Sequence, residues 1–116
     1  NVLFTHALAR RLAGSGVTVN ALHPGVIASG FARGNLSLFG AFWWLARPLL
    51  KSPGEGAATP LFLATSPEVE GASGGYYSRC APTAPSAQSR DEALQERVWA
   101  MSLARLGYAG DPTRSP

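Results

Sequence analysis

The stretch Val2 to His23, VLFTHALARRLAGSGVTVNALH, constrains this chain more than any other. Phe4, Leu8 and Leu12 recur at helical spacing with Leu3 and Ala7 beside them, marking one face of an amphipathic helix over residues 2–13. Arg10 and Arg11 fall near its end, where cations oppose the negative pole of the helix dipole. Gly14 offers the left-handed stop, and Ser15-Gly16 completes a tight turn. Val17 to Leu22 then run apolar and β-branched, too short for a helix. Near-continuous apolarity of this kind fits a strand covered on both faces, as in a parallel sheet. Helix, short turn and buried strand make half of a βαβ unit, so the expected fold class is α/β.

The chain has 116 residues, 46% of them hydrophobic and 15% charged, which describes a globular chain and excludes an intrinsically disordered one. Its net charge of +3 is the balance of ten scattered basic residues against seven acidic ones. Without a basic stripe interleaved with aromatics, nucleic-acid binding is not expected. Cys80 is the single cysteine, so the sequence holds neither an internal disulfide nor a cysteine metal cluster, and a partly buried free thiol is expected. No metal site is expected. The chain opens at Asn1 in what reads as the middle of a helix, without a cap, an initiator methionine or a signal peptide. It therefore reads as a fragment whose N-terminal part precedes Asn1.

Ser52-Pro53-Gly54-Glu55 is a well-formed helix start, with a serine cap, a proline at the first turn and a glutamate that can return a bond to the cap. That helix should run to about Thr65, kinked at Pro60, whose crowding of Gly56 is softened by the glycine. Tyr76-Tyr77 lies in a short last strand, residues 75–78, and paired tyrosines there read as packing. Residues 81–88 read as a Pro/Ala/Ser connector. A final helix should start with Ser89 as cap and Glu92 three later, and end at Gly107. Leu94, Val98 and Met101, with Trp99, Leu103 and Leu106 beside them, give it a broad buried face. Residues 109–116 read as a flexible tail.

Between the strand and the second helix lies a dense apolar and aromatic segment. Its charge-free apolar and aromatic stretch, Leu36 to Ala46, is eleven residues, against the roughly twenty that a membrane-spanning helix needs. It is core, a flap over an apolar ligand, or a docking patch. In an open parallel sheet, ligands bind beyond the carboxyl ends of the strands, which is where the loop from His23 begins. His23 itself reads as structural, bonded to nearby backbone, and Ser29 has no neighbouring base that would make it a nucleophile. The residues alone contain no complete catalytic set.

NVLFTHALARRLAGSGVTVNALHPGVIASGF resembles the segment that follows the catalytic tyrosine-lysine pair in short-chain dehydrogenases/reductases, particularly the retinol dehydrogenase-like branch. SPGEGAATPLFLATSPEVEGASGGYY is similar to that branch's next helix, loop and last strand, and DEALQERVWAMSLARLGY resembles its C-terminal helix. The resemblance runs in order from residue 1 to about 108. It implies the C-terminal portion of one doubly wound, Rossmann-type parallel sheet domain, with residues 17–22 and 75–78 as its sixth and seventh strands and residues 27–51 as a substrate-binding flap.

By position in that family, Pro24 and Gly25 shape the turn at the nicotinamide end of the cofactor, and Ile27 offers backbone groups to the carboxamide. Ser29 stands where the family usually has a threonine whose hydroxyl bonds the cofactor. Phe31, Phe39, Trp43 and Trp44 belong to the flap. The implied cofactor is NADP (or NAD), since the residue that reads the ribose phosphate lies upstream. The implied substrate is a hydrophobic alcohol/carbonyl pair. The family's glycine-rich loop, catalytic serine and Tyr-x-x-x-Lys pair also lie upstream, so no catalytic residue is assigned within the chain and the fragment alone is expected to be inactive. The parent is expected to be intracellular, with membrane association through a preceding segment left open. The competing reading is a non-catalytic, membrane-peripheral or partner-binding module that docks through residues 36–50, with Phe39, Phe42, Trp43 and Trp44 as its surface.

Overall fold

The computed structural model describes residues 1–27 and 52–113. Helix α1, Val2–Arg11, forms where the apolar periodicity placed it, with Arg10 and Arg11 in its last turn. Gly14 and Gly16 lie beyond it at φ 79° and 81°, so both glycines turn the chain through left-handed conformations.

Strand β1 is shorter than the apolar run implied. It covers Ala21–His23 alone, and Val17, expected in a buried strand, is 55% exposed. The cause lies across the sheet. Opposite Val19 and Asn20 the chain is a glycine turn, with Gly71 and Gly74 both left-handed. Backbone ladder pairing therefore starts only where this partner becomes extended at strand β2, Tyr76–Ser78. Before that point the connection uses other groups. The Gly74 N–H donates to the Val19 carbonyl at 2.7 Å, and the Val19 N–H to the Ser73 hydroxyl at 3.0 Å. The Asn20 side chain donates to the Ala72 carbonyl and accepts from the Gly75 N–H, both at 2.8 Å.

β1 and β2 are parallel, with Ala21 opposite Tyr76, Leu22 opposite Tyr77 and His23 opposite Ser78. A third strand, β3, Ala81–Pro82, returns antiparallel to β2, giving the order β1-β2-β3. The stretch 81–88 is thus more ordered than a connector: it holds this strand and the start of a 3₁₀ turn at Ala87–Arg90. Proline in β3 is tolerated because that strand lies at the end of the described sheet.

Helix α2, Pro53–Thr65, carries the expected capping box. The Ser52 hydroxyl accepts from the Glu55 N–H at 3.2 Å, and the Glu55 carboxylate accepts from the Ser52 N–H at 2.7 Å. It runs unbroken through Pro60. Helix α3, Glu92–Arg105, starts later than the sequence suggested. Ser89 is held in the 3₁₀ turn by Ser86, and Asp91 caps α3 instead, accepting from the Ala93 and Leu94 N–H groups at 2.9 and 3.2 Å. Gly107, at φ 74°, follows its end as expected.

α1 and α3 pack on each other. Trp99 is buried and its ring lies 5.1 Å from that of Phe4, an aromatic pair worth about 1 kcal/mol beyond the area it buries. Gln95, 3% exposed, is the other buried residue of α3, so the buried face is narrow and partly polar. Met101 and Leu106, expected on a broad apolar face, are 57% and 72% exposed. The hydrophobic core among the described residues is small: Ala7, Tyr77 and Trp99.

Candidate functional site

Because β1 and β2 are parallel and in register, the loops that follow them leave the same carboxyl edge of the sheet. Pro24–Ile27 leaves after His23, and Arg79–Cys80 after Ser78. Gly25 sits at φ 85°, a conformation that a side-chain-bearing residue would hold only under strain. Val26 points outward and is exposed, whereas Ile27 is half-buried. The Ile27 side chain occupies the space in which Gly56 would carry a Cβ, so only glycine fits at that position of α2.

One turn further along α2, Thr59 is buried, and its hydroxyl oxygen accepts from the Cys80 N–H at 3.2 Å. Gly56 and Thr59 are the two buried residues of α2, and at i, i+3 spacing they share one face. That face therefore rests on both loops of the carboxyl edge at once. Arg79 and Cys80 form a two-residue connection between β2 and β3, both left-handed at φ 53° and 58°.

Of the site residues read from sequence, the structure brings Pro24, Gly25 and Ile27 to this edge. Ser29, Phe31, Phe39, Trp43 and Trp44 lie outside the described residues, as does the rest of the segment 28–51. His23 is exposed at the strand end, and its ring makes no hydrogen bond among the described residues. Tyr77 is buried with its ring centroid 6.5 Å from that of Phe62, in keeping with a packing role. Cys80 is a free, half-buried thiol. Among the described residues no cluster of three or more His, Cys, Asp or Glu side chains could hold a metal ion, and no helix is long and apolar enough to cross a membrane. Sequence reasoning missed Thr59 and the site-facing role of Gly56. The available signal was their spacing: two small residues three apart on a helix that starts just after the loop.

The strongest electrostatics lie elsewhere, where α3 meets the end of α1. The Arg11 guanidinium donates to Asp111 at 2.7 Å and to Glu96 at 2.5 Å, and stacks 4.5 Å from the Trp99 ring centroid. Hydrogen bonds from Arg11 and then Arg10 lower the Glu96 carboxyl to about 2. The Thr113 hydroxyl, and then Arg11, hold Asp111 well below the usual carboxylate range. Arg10 also bonds Gln95, which in turn donates to the Ser89 carbonyl at 2.7 Å. This cluster fastens the two helices, and Arg10, Arg11, Glu92 and Glu96 line a polar hollow between them.

No protein-family model matches the chain. It is 42% identical to human retinol dehydrogenase 11 over 111 residues, 96% of this chain and 35% of that protein. It is 44% identical to human retinol dehydrogenase 12 over 107 residues, 92% of this chain and 34% of that protein. To the WW domain-containing oxidoreductase of Gallus gallus it is 39% identical over 102 residues, 88% of this chain and 25% of that protein. The chain thus spans about a third of the length of the curated retinol dehydrogenases it matches. Near-complete coverage of the chain, together with the parallel β1–β2 pair and its α/β order, leads to one assignment: the chain belongs to the retinol dehydrogenase-like branch of the short-chain dehydrogenases/reductases.

Proposed function

We propose that this chain forms the nicotinamide-facing edge of an NAD(P)-dependent oxidoreductase that interconverts an apolar alcohol and its aldehyde or ketone. The observation that carries this reading is the geometry of Pro24–Ile27. The loop leaves the carboxyl edge of a parallel strand pair, where α/β sheets bind ligands. Gly25 is left-handed, and the Ile27 side chain is seated against Gly56. In this reading the loop meets a ligand with peptide groups rather than side chains, which suits a planar carboxamide.

A bound nicotinamide would supply the hydride donor or acceptor. In this reading Pro24 and Gly25 set the direction of the turn, Ile27 orients the carboxamide through its peptide groups, and the Ser29 hydroxyl adds a hydrogen bond to the cofactor. Phe31, Phe39, Trp43 and Trp44 provide the apolar wall that receives the substrate and keeps water from it. The chain's own groups bind and orient. Proton transfer is the work of the serine, tyrosine and lysine that this branch uses, and this reading assigns it to no residue of this chain.

The test is turnover by the full-length protein with NADPH, then NADH, across a panel of hydrophobic aldehydes. Oxidation of the reduced cofactor is expected, faster with the more apolar substrates. No oxidation of either cofactor with any member of the panel overturns the reading.

A further inference from the structure

Helix α2 is the one described element that touches both loops of the carboxyl edge. It does so through Gly56, whose missing side chain makes room for Ile27, and through Thr59, whose hydroxyl oxygen holds the Cys80 N–H. Neither contact fills a cavity or carries a charge. Each instead bears on a short piece of backbone: a loop turned at left-handed Gly25 on one side, and a turn of two left-handed non-glycine residues on the other. Thr59 is only 4% exposed, and its oxygen accepts from both the N–H and, at 4.0 Å, the thiol of Cys80.

We propose that α2 sets the spacing between the two loops, with Gly56 as the positioning residue for the cofactor edge at Ile27 and Thr59 as the positioning residue for the opposite wall at Arg79–Cys80, which faces the apolar substrate. The proposal rests on the oxidoreductase reading above. A methyl group at position 56 would overlap the Cδ1 and Cγ1 atoms of Ile27, so that side chain could no longer keep its seat against α2. Removing the acceptor at position 59 would leave the Cys80 N–H without its bond and release the turn, while a serine would keep it.

The experiment uses the full-length protein and three measurements: NADPH dissociation constant by fluorescence titration, KM for an apolar aldehyde, and melting temperature. Gly56→Ala is expected to weaken NADPH about tenfold, and the double variant Gly56→Ala with Ile27→Ala, which removes the overlapping Cδ1 and Cγ1, to recover most of that loss. Thr59→Val is expected to leave NADPH affinity within about twofold and raise the aldehyde KM about fivefold with kcat little changed, and Thr59→Ser to behave as the parent. The proposal is overturned if the variants lower the melting temperature while NADPH affinity and KM stay at parental values, or if Ile27→Ala brings no recovery to Gly56→Ala and Thr59→Ser behaves as Thr59→Val. A parent protein that binds neither NADPH nor NADH overturns the functional reading and this proposal together. A parent that binds one of them, with variants indistinguishable from it, overturns the positioning role alone.

Discussion

Arg11 and Asp111, near opposite ends of the chain, meet at 2.7 Å, and the same carboxylate oxygen also accepts the Trp99 indole N–H at 3.1 Å. Their side chains are 11% and 15% exposed, whereas the neighbouring Arg10–Glu92 pair is 39% and 73% exposed. Water screens the second pair and contributes far less competition to the first, so the first is the one with consequences for stability. Asp111 thus joins α1, α3 and the segment beyond α3 in one node.

Asp111→Asn is expected to lower the melting temperature of the full-length protein by about 3 °C. The amide keeps an acceptor for Trp99 or Thr113 but gives up the charge that faces Arg11. Thermal melts of parent and variant at neutral pH check this, and equal midpoints would show that the node adds nothing.

The pH dependence has a definite sign. Glu96, with an ordinary value of 4.5, is lowered to about 2, and Asp111 is shifted in the same direction. A carboxylate whose folded pKa lies below its unfolded one contributes stability above the unfolded value, and that contribution disappears as pH falls through the folded value. The α1–α3 attachment should therefore be constant from pH 7 to about 5 and weaken between 4.5 and 2. Comparing melting temperature against pH for the parent and Glu96→Gln isolates the effect: the variant's curve should be flatter in that window, and parallel curves would refute it.

The turn at Arg79–Cys80 holds two side-chain-bearing residues at φ 53° and 58° between paired strands. Asn-Gly is the pair that such a two-residue hairpin favours, and each left-handed non-glycine residue costs roughly 1 kcal/mol or more. Replacing Arg79→Asn and Cys80→Gly should raise the melting temperature by about 2–5 °C, because the backbone N–H that Thr59 holds is retained. A midpoint that stays or falls would mean that the turn is not under the strain its dihedrals imply.

Trp43→Ala and Trp44→Ala separate the two readings of the aromatic segment. As part of a substrate flap they should raise KM for the most apolar aldehydes several-fold and leave short-chain aldehydes nearly unaffected. If liposome co-sedimentation of the full-length protein is abolished while KM is unchanged, the docking reading replaces the flap.

How much of this was legible in the sequence follows the range of each interaction. The capping box at Ser52 was readable because both bonds span three residues. The start of α3 was not, since Ser89 and Asp91 are each competent caps and the choice depends on Ser86 already holding Ser89. The apolar run at 17–22 suggested a longer strand than Ala21–His23 because composition reports what a residue can do and not what stands opposite it; opposite Val19 stands a glycine turn. The placement of Pro24–Ile27 at the carboxyl edge followed from chain order alone. The spacing of Gly56 and Thr59 marked a face of α2 but not its partner, and the contacts of Thr59 with Cys80, and of Asp111 with Arg11 across 100 positions, are encoded in no local pattern.

Asn20 has a further consequence. β1 and β2 share only three residue pairs, too few for hydrophobic pattern alone to select one alignment. Immediately before the ladder, the Asn20 amide uses both its donor and its acceptor on the loop 72–75, as a backbone residue would. Sliding β1 by one position would bring Val19 or Ala21 to that place, and neither side chain can donate or accept. Asn20 is thus the register key of the strand pair: it makes a single alignment of the carboxyl edge the satisfied one, and with it the relative height of the two loops that α2 holds.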